Sequence, residues 1–385
     1  MAKTVCIRSA SVGQTELERL SSGLGAAPVF VAAFASPSVD LTESLTALST
    51  RFPRATVIGS TTSGEFTHEG DGNKTVSIFA VAGDYKVSAG MATGLADDPE
   101  RAVMTALEGQ PGSVEGYPHR TNVVLLDALA GHGEEAALLV AASLGDVPLV
   151  GGAAGDDLAM TKTFVGLGSQ IASDAIVVAS IFSRQKLGVG VCHGHAPLSD
   201  SIKVTKATGS VVDELDGRPA WDVWREKTSA RAKELGLDPE ASPGAYLLRF
   251  EAGLAVGKEY KVRAPLAPKP GGGILFATPV LEGTVLRIME SDSAAQVESA
   301  VSAAKAARAN VDGAEIAGAL VFDCICRKLI LGDRYVEALK NVSAELGGAP
   351  LAGFETYGEI AMNWGDMSGF HNTTTVVLAF PRHGD

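Results

Sequence analysis

The sequence predicts a mixed α/β fold: sheets built from repeated β-α-β-β modules, with helices packed on the sheet faces. Three observations carry this expectation. A glycine-bracketed signature occurs three times, at residues 55–66, 147–157 and 350–361. Each copy follows a β-type apolar run and an amphipathic helix pattern, and each precedes another β-type run. The spacing of roughly 80–100 residues or more exceeds that of a solenoid unit, so duplicated modules are the better reading.

The signatures are Ala55-Thr-Val-Ile-Gly59-Ser-Thr-Thr-Ser-Gly64-Glu65-Phe66, Val147-Pro-Leu-Val-Gly151-Gly-Ala-Ala-Gly155-Asp156-Asp157 and Pro350-Leu-Ala-Gly353-Phe-Glu-Thr-Tyr357-Gly358-Glu359-Ile-Ala361. Strand interiors avoid glycine because it costs entropy and packs nothing. A glycine pair at a strand end therefore marks a sharp turn or a close approach to the backbone.

The first module spans 4–81, with β-type runs at 29–34 and 75–81 and a helix over 41–52 that Asp40 and Glu43 open as a capping box. The second spans 86–182. It opens with a strand at 86–91, and Asp98-Pro99-Glu100 is a helix start by cap, proline and first-turn acid. The third, 284–380, opens alike, with a strand at 284–289 and Asp292-Ser293 before Gln296. Modules two and three match over nearly their whole length, and module one matches mainly in its latter part. A non-repeated insert, 186–283, separates them, and a boundary near 209–217 divides the chain into 1–215 and 216–385. Strand–helix–strand connections make parallel, right-handed pairs. The Gly-Glu turn then returns the chain as an antiparallel neighbour, at the carboxyl end of strands where open α/β sheets hold ligands.

At 385 residues the chain has room for two or three domains, and its net charge of −13 comes without a lysine- or arginine-rich cluster. That composition excludes nucleic acid as a partner and gives no attraction to an anionic membrane. The start of the sequence runs directly into a strand pattern, and no apolar run is long enough to span a bilayer, so a cytoplasmic location is expected. Four cysteines do not make a disulfide framework.

Glu65, Asp156 and Glu359 end the three signatures. Each either meets a ligand's ammonium or holds its own turn. Glu359, with Tyr357, Gly353, Gly358 and the returning His371-Asn372 pair, makes the better candidate pocket. Arg327 suits a carboxylate. Cys324-x-Cys326 falls on a strand-like run, where both thiols face one side. Buried strand cysteine is the plainer reading, and a catalytic Cys324 or Glu359 is the enzymatic alternative. His193 and His195 share a face with Val189 and Val191, but no third ligand stands at metal-site spacing, so no metal is assigned. His68, His119 and His383 fall in loop or tail sequence. Neither a Gly-x-x-x-x-Gly-Lys-Ser/Thr loop nor a Gly-x-Ser-x-Gly elbow occurs.

Residues 55–65 and 147–156 resemble the N-terminal half of the FIST sensory domain. Phe322-Asp-Cys-Ile-Cys-Arg327, Gly353-Phe-Glu-Thr-Tyr-Gly-Glu359 and His371-Asn372-Thr373 resemble its C-terminal half, and 204–224 resembles the junction. The resemblance implies a small-ligand sensor, proposed in this family to bind amino acids. A stand-alone group without a fused output, similar to this chain, binds haem, senses nitric oxide and acts on a partner histidine kinase. For haem, His371 and the His193/His195 pair are the axial candidates. For an amino acid, Glu359 meets the ammonium and Arg327 the carboxylate. The partners this reading allows are a small molecule, a separate histidine kinase and a second copy of the chain; the protein is read as a binding protein, not an enzyme.

Overall fold

The apolar runs fold into three six-stranded sheets whose inner faces meet in one core. The computed structural model describes residues 1–362 and 369–382, so His383 lies outside the described residues. Module one is β1 (Lys3–Ser9), α1 (Gln14–Leu24), β2 (Phe30–Ala35), α2 (Leu41–Arg51), β3 (Thr56–Thr61), a hairpin of β4 (Glu65–Thr67) and β5 (Gly70–Gly72), and β6 (Val76–Ala82). Module two repeats it as β7 (Tyr85–Thr93), α3 (Pro99–Leu107), β8 (His119–Leu126), α4 (Gly133–Leu144), β9 (Leu149–Ala153), β10 (Val165–Leu167), β11 (Gln170–Ala172) and β12 (Ala175–Ser183).

Module three opens with β13 (Gly188–His193) and is then interrupted. The interruption holds β14 (Ala196–Pro197), β15 (Ile202–Thr208), β16 (Val211–Leu215), β17 (Arg218–Pro219), α5 (Ala220–Leu235), α6 (Pro243–Arg249), β18 (Phe250–Val256), β19 (Glu259–Arg263), β20 (Pro265–Pro268), β21 (Ile274–Phe276) and β22 (Val285–Glu290). The module resumes with α7 (Ser293–Ala309), β23 (Ile316–Cys324), α8 (Ile325–Leu331), α9 (Tyr335–Glu345), β24 (Leu351–Thr356), β25 (Glu359–Met362), β26 (Gly369–His371) and β27 (Thr374–Pro381).

The sheet orders are β1-β6-β2-β3-β10-β11, β7-β12-β8-β9-β25-β26 and β13-β27-β23-β24-β4-β5. Each module thus builds four strands of its own sheet and lends its hairpin to another. The exchange is cyclic: module one lends to three, three to two, and two to one. The pairs β2/β3, β8/β9 and β23/β24 are parallel, as the crossovers require. All three sheets line one inner core, where Phe34 stacks on Phe354 at 4.5 Å. Three further cores lie outside, under α1/α2, α3/α4 and α7/α9. The caps on α2, α3 and α7 form as expected, with Asp40, Asp98 and Asp292 accepting from the N–H groups of Glu43, Arg101 and Ala295 at 2.9, 2.9 and 2.8 Å.

The signatures meet end to end. Ser63, Gly155 and Tyr357 donate their N–H groups to the carbonyls of Glu355, Thr61 and Ala153 at 3.1, 3.0 and 3.1 Å. Thr61, Ala153 and Glu355 donate in turn to Phe164, Gly358 and Gly64 at 2.9, 2.8 and 2.8 Å. The six bonds close a ring that joins every module to both others. Gly59, Gly151 and Gly353 sit in the middle of their strands, not at the turns, opposite Ala33, Val124 and Val321. A Cβ at any of them would run into the carbonyl oxygen of that partner. The close-approach reading of these glycines is therefore right, and the turn reading is not.

Three expectations need correction. The chain does not return beside β3; it detours through the lent hairpin and comes back beside β2. The strand at 285–290 does not open module three but pairs with β14, β15 and β18 in the interrupting sheet. β13 takes the opening role, paired with β27. Module one also matches throughout. A short apolar run shows which residues alternate, not which sheet they join. Residues 196–290 share one nine-stranded sheet and a core containing Trp224, Tyr246, Phe250 and Phe276. The 215/216 boundary falls inside it, between the paired strands β16 and β17. No helix among the described residues is long and apolar enough to cross a membrane.

Gly353→Ala places a methyl group against backbone and the Phe66 ring. Overpacking of this kind is expected to cost about 1–3 kcal/mol or more. Gly112→Ala, where a Cβ meets nothing within 4 Å, should be near neutral. Urea unfolding of the two variants checks the contrast.

Candidate functional site

Glu65 and Glu359 are twins. Each begins a lent hairpin, Glu65 opposite Phe354 and Glu359 opposite Gly152. Each accepts from a threonine three residues earlier, Thr62 or Thr356, and from a threonine at the head of the returning strand, Thr75 just before β6 or Thr374 at the start of β27. Burial pushes Glu65 up to about 7 and Glu359 well above the carboxylate range, against those hydrogen bonds. Two copies of one local bonding scheme identify a carboxyl group that holds its turn. The counterpart in module two is Val165, opposite Ser60. Asp156 is therefore not equivalent to them. It lies in the longer loop before Val165 and accepts from Met160 N, Thr161 N, Lys162 N, the Thr161 hydroxyl and the Tyr357 hydroxyl, the last at 2.6 Å. Burial opposes its ionisation, but these donors hold its carboxyl below the usual range.

Other sequence candidates are likewise occupied. Gly353 packs in mid-sheet, and the Gly358 carbonyl belongs to the ring. Arg327 is fully buried on α8 and already bonded to Asp323 Oδ1 at 2.7 Å, the Ser299 hydroxyl at 2.8 Å, and both the side chain and carbonyl of Gln296. It closes an internal network and presents no free fork to a ligand carboxylate. Cys324 ends β23 while Cys326 lies on α8, so the two thiols do not share a strand face. Burial pushes the Cys324 thiol well up, away from a nucleophilic thiolate.

The histidines gather elsewhere, at a seam where the 196–290 unit meets the three-sheet core. His193 Nε2 lies 2.8 Å from the Tyr260 carbonyl, and its Nδ1 accepts from the His195 N–H. His195 Nε2 is 3.5 Å from Glu251 Oε2, with both side chains wholly buried. The Thr373 hydroxyl donates to the other Glu251 oxygen at 2.9 Å. His371 sits opposite Glu359 in the hairpin, with Nε2 3.4 Å from the Ala361 carbonyl. Asn372 Oδ1 accepts from Ala264 N and the Thr278 hydroxyl, pinning the turn to the unit. Arg263 bonds the Phe370 carbonyl and Glu134, and Lys261 bonds Glu134 at 3.2 Å.

Each module returns from its hairpin through a left-handed residue: Lys74 (φ 60°), Asp174 (φ 50°) and Thr373 (φ 49°). A β-branched residue there is strained, and the Glu251 bond helps to hold it. Burial drives His371 down to about 3 and His195 well below its ordinary value, and raises Glu251 to about 8. Sequence reasoning missed Glu251, Lys261, Arg263 and Thr373 as seam residues. One signal was available: Glu251 interrupts an otherwise apolar run at 250–256.

These residues do not form a haem pocket. Both ring nitrogens of His193 are engaged, and His195 and His371 are closed in by Glu251, Thr373 and nearby cations rather than by an apolar slot. Among the described residues no group of three or more His, Cys, Asp or Glu is placed to hold a metal ion.

Arg327→Met leaves Asp323 buried without its cation and should cost about 3–5 kcal/mol, read by chemical denaturation. The pH dependence has a definite sign. Glu251 is protonated in the folded chain up to about pH 8 but ionises near 4.5 when unfolded, so stability falls as pH rises between those values. The lowered histidines act oppositely and only below about 6.5. Between pH 6.5 and 8 the wild type should therefore lose stability with a slope of at most about 1.4 kcal/mol per pH unit from each raised carboxyl. Glu251→Gln should flatten that slope in urea titrations; an unchanged slope contradicts the assignment.

Comparison with known proteins identifies the family. The FIST N domain matches residues 29–218 and the FIST C domain residues 220–362. An uncharacterised protein of Methanocaldococcus jannaschii is 30% identical over 169 residues, 42% of this chain and 33% of that protein. An uncharacterised protein of Mycobacterium tuberculosis is 30% identical over 178 residues, 44% of this chain and 45% of that one. The chain thus spans less than half the length of these curated relatives. The crystal structure of cyanuric acid hydrolase from A. caulinodans is covered in full, but at 11% identity and a TM-score of 0.30, too slight a likeness to bear on fold or chemistry. FIST domains are associated with small-ligand sensing in signalling proteins. With both halves matched in order along most of its length, this chain belongs to the FIST family.

Proposed function

We propose that the protein senses a small polar ligand of amino-acid type at the seam between the 196–290 unit and the three-sheet core, and signals occupancy by shifting that unit. The observation that supports this is the seam's unmet hydrogen bonding. His195 Nδ1, His371 Nδ1 and Arg263 Nε are buried without hydrogen-bond partners among the described residues, and His195 Nε2 and Glu251 Oε2 meet only each other, at a long 3.5 Å. Each such group costs about 1–3 kcal/mol. A ligand bringing its own donors and acceptors would stabilise a rearranged seam over the closed one, which is how occupancy biases two arrangements.

The seam carries side chains of both kinds required, with Glu251 protonated in the closed seam and ionising against an arriving ammonium. Arg263 and Lys261 are of the type that takes a carboxylate. Glu251 and the Thr373 hydroxyl are of the type that takes an ammonium. These residues replace Arg327 and Glu359 in the roles first expected of them. A binding role is favoured over an enzymatic one because burial holds the Cys324 thiol protonated, with no base hydrogen-bonded to it among the described residues. A separate partner such as a histidine kinase would read the shift.

Thermal unfolding with each of the twenty amino acids, and separately with haem, tests this. At least one amino acid should raise Tm saturably, and Arg263→Gln and Glu251→Gln should weaken that effect about tenfold or more while keeping the circular dichroism spectrum. A sharp Soret band with haem and no amino-acid effect, or no effect of either, contradicts the reading.

A further inference from the structure

The three modules share one geometry, so a position that departs in a single copy is informative. At the carboxyl ends of the parallel pairs the facing residues are Ala35 and Thr61 in module one, and Leu126 and Ala153 in module two. Module three has Asp323 and Glu355 there. It is also the module whose crossover carries the additional helix α8.

Asp323 is satisfied by Arg327 and by the Thr375 hydroxyl. Glu355 is not. It is 2% exposed, and its Oε1 has no hydrogen-bond partner among the described residues. Its carboxyl group lies against Gly64, in space that a Cβ would fill. Lys328 of α8 bonds Asp71, on the hairpin lent by module one, and its Nζ lies 4.6 Å from the centre of the Tyr335 ring. Glu355 makes no ion pair with that ammonium, although its charge acts on it. The Lys328 side chain remains 27% exposed.

We infer that Asp71, Glu355 and the face of Tyr335 form a binding site for a primary ammonium group, held in this structure by the chain's own Lys328 and open to a free alkylammonium that displaces it. Carboxylates beside an aromatic face are what a cation requires. A primary ammonium has three donors. Lys328 uses one on Asp71, whereas an untethered group is free to bond Asp71 and Glu355 together. A plain surface ion pair would account for Lys328 and Asp71 but not for the unpartnered buried acid at the end of the same sheet. Burial raises Glu355 to about 8 and lowers Lys328, in keeping with charges held away from water. Displacement would loosen α8 from the hairpin of module one, because Lys328–Asp71 is an ion pair that joins them. The site goes beyond the seam and shares no residue with it, so its failure would leave that reading standing.

A tethered lysine competes at an effective concentration of about millimolar or above, so a free amine binds the wild type weakly. Lys328→Met keeps an apolar stem and removes the competitor. Titrating methylammonium chloride into this variant should raise Tm saturably, at concentrations about tenfold below those needed for the wild type. Sodium chloride and tetramethylammonium chloride at equal ionic strength should not, and the Lys328→Met/Glu355→Gln variant should lose the effect. No saturable rise, an equal rise with tetramethylammonium, or an equal rise in the double variant overturns the inference. Should Lys328→Met fail to fold, hydrogen exchange on the wild type decides. Methylammonium but not sodium should speed exchange of the α8 amides, and unchanged exchange overturns the inference.

Discussion

Six backbone hydrogen bonds around the junction of the three signatures are the constraint on which the rest of the molecule depends. They are made by Ser63, Gly155 and Tyr357 and by Thr61, Ala153 and Glu355, most of them buried, where a lost backbone partner is costly. Each module alone would leave its outermost parallel strand unpaired and its hairpin without a sheet. The cyclic exchange of hairpins closes both deficits at once. It also sets the chemistry of the signatures: Gly155 stays bare because a Cβ would strike Ser63, and Gly59, Gly151 and Gly353 stay bare because a neighbouring carbonyl fills their Cβ space.

Internal repetition also separates scaffold from function. Glu65 and Glu359 share one bonding scheme, so a signature carboxyl group by itself marks a held turn. What is unique to module three is more telling: the 196–290 unit spliced between β13 and α7, the polar seam it makes with the β26–β27 turn, and the charged pair Asp323 and Glu355. The seam differs in kind from the cores around it. Those are apolar and closed, whereas the seam buries imidazoles and carboxyl groups whose partners are incomplete. Under-satisfied polar groups at a boundary between units are what a small free-energy difference between two arrangements needs.

Much of the fold was legible. Asp40, Asp98 and Asp292 announced their helices, since an N-cap is a local interaction written in adjacent residues. The three crossovers required parallel pairs. The hairpin exchange was not legible, because strands as short as 65–67 or 165–167 carry no register information of their own. For the same reason β13 and β22 traded places. At the candidate site, the sequence displays residue type but not burial. Arg327 and Arg263 look alike in sequence, yet one closes an internal network with Asp323 and the other lines the seam. The histidines named together as axial candidates do lie near one another at the seam. Their shared environment came from Glu251 and Thr373, 122 residues apart in the chain.

The central claim is that ligand occupancy is felt at the seam. Hydrogen exchange of the full chain with and without an equimolar mixture of the twenty amino acids tests it most directly. The account predicts altered exchange concentrated in β13, β18, β19 and the β26–β27 turn, with β2, β8 and β23 unchanged. Exchange altered only outside the seam, or nowhere, would contradict it.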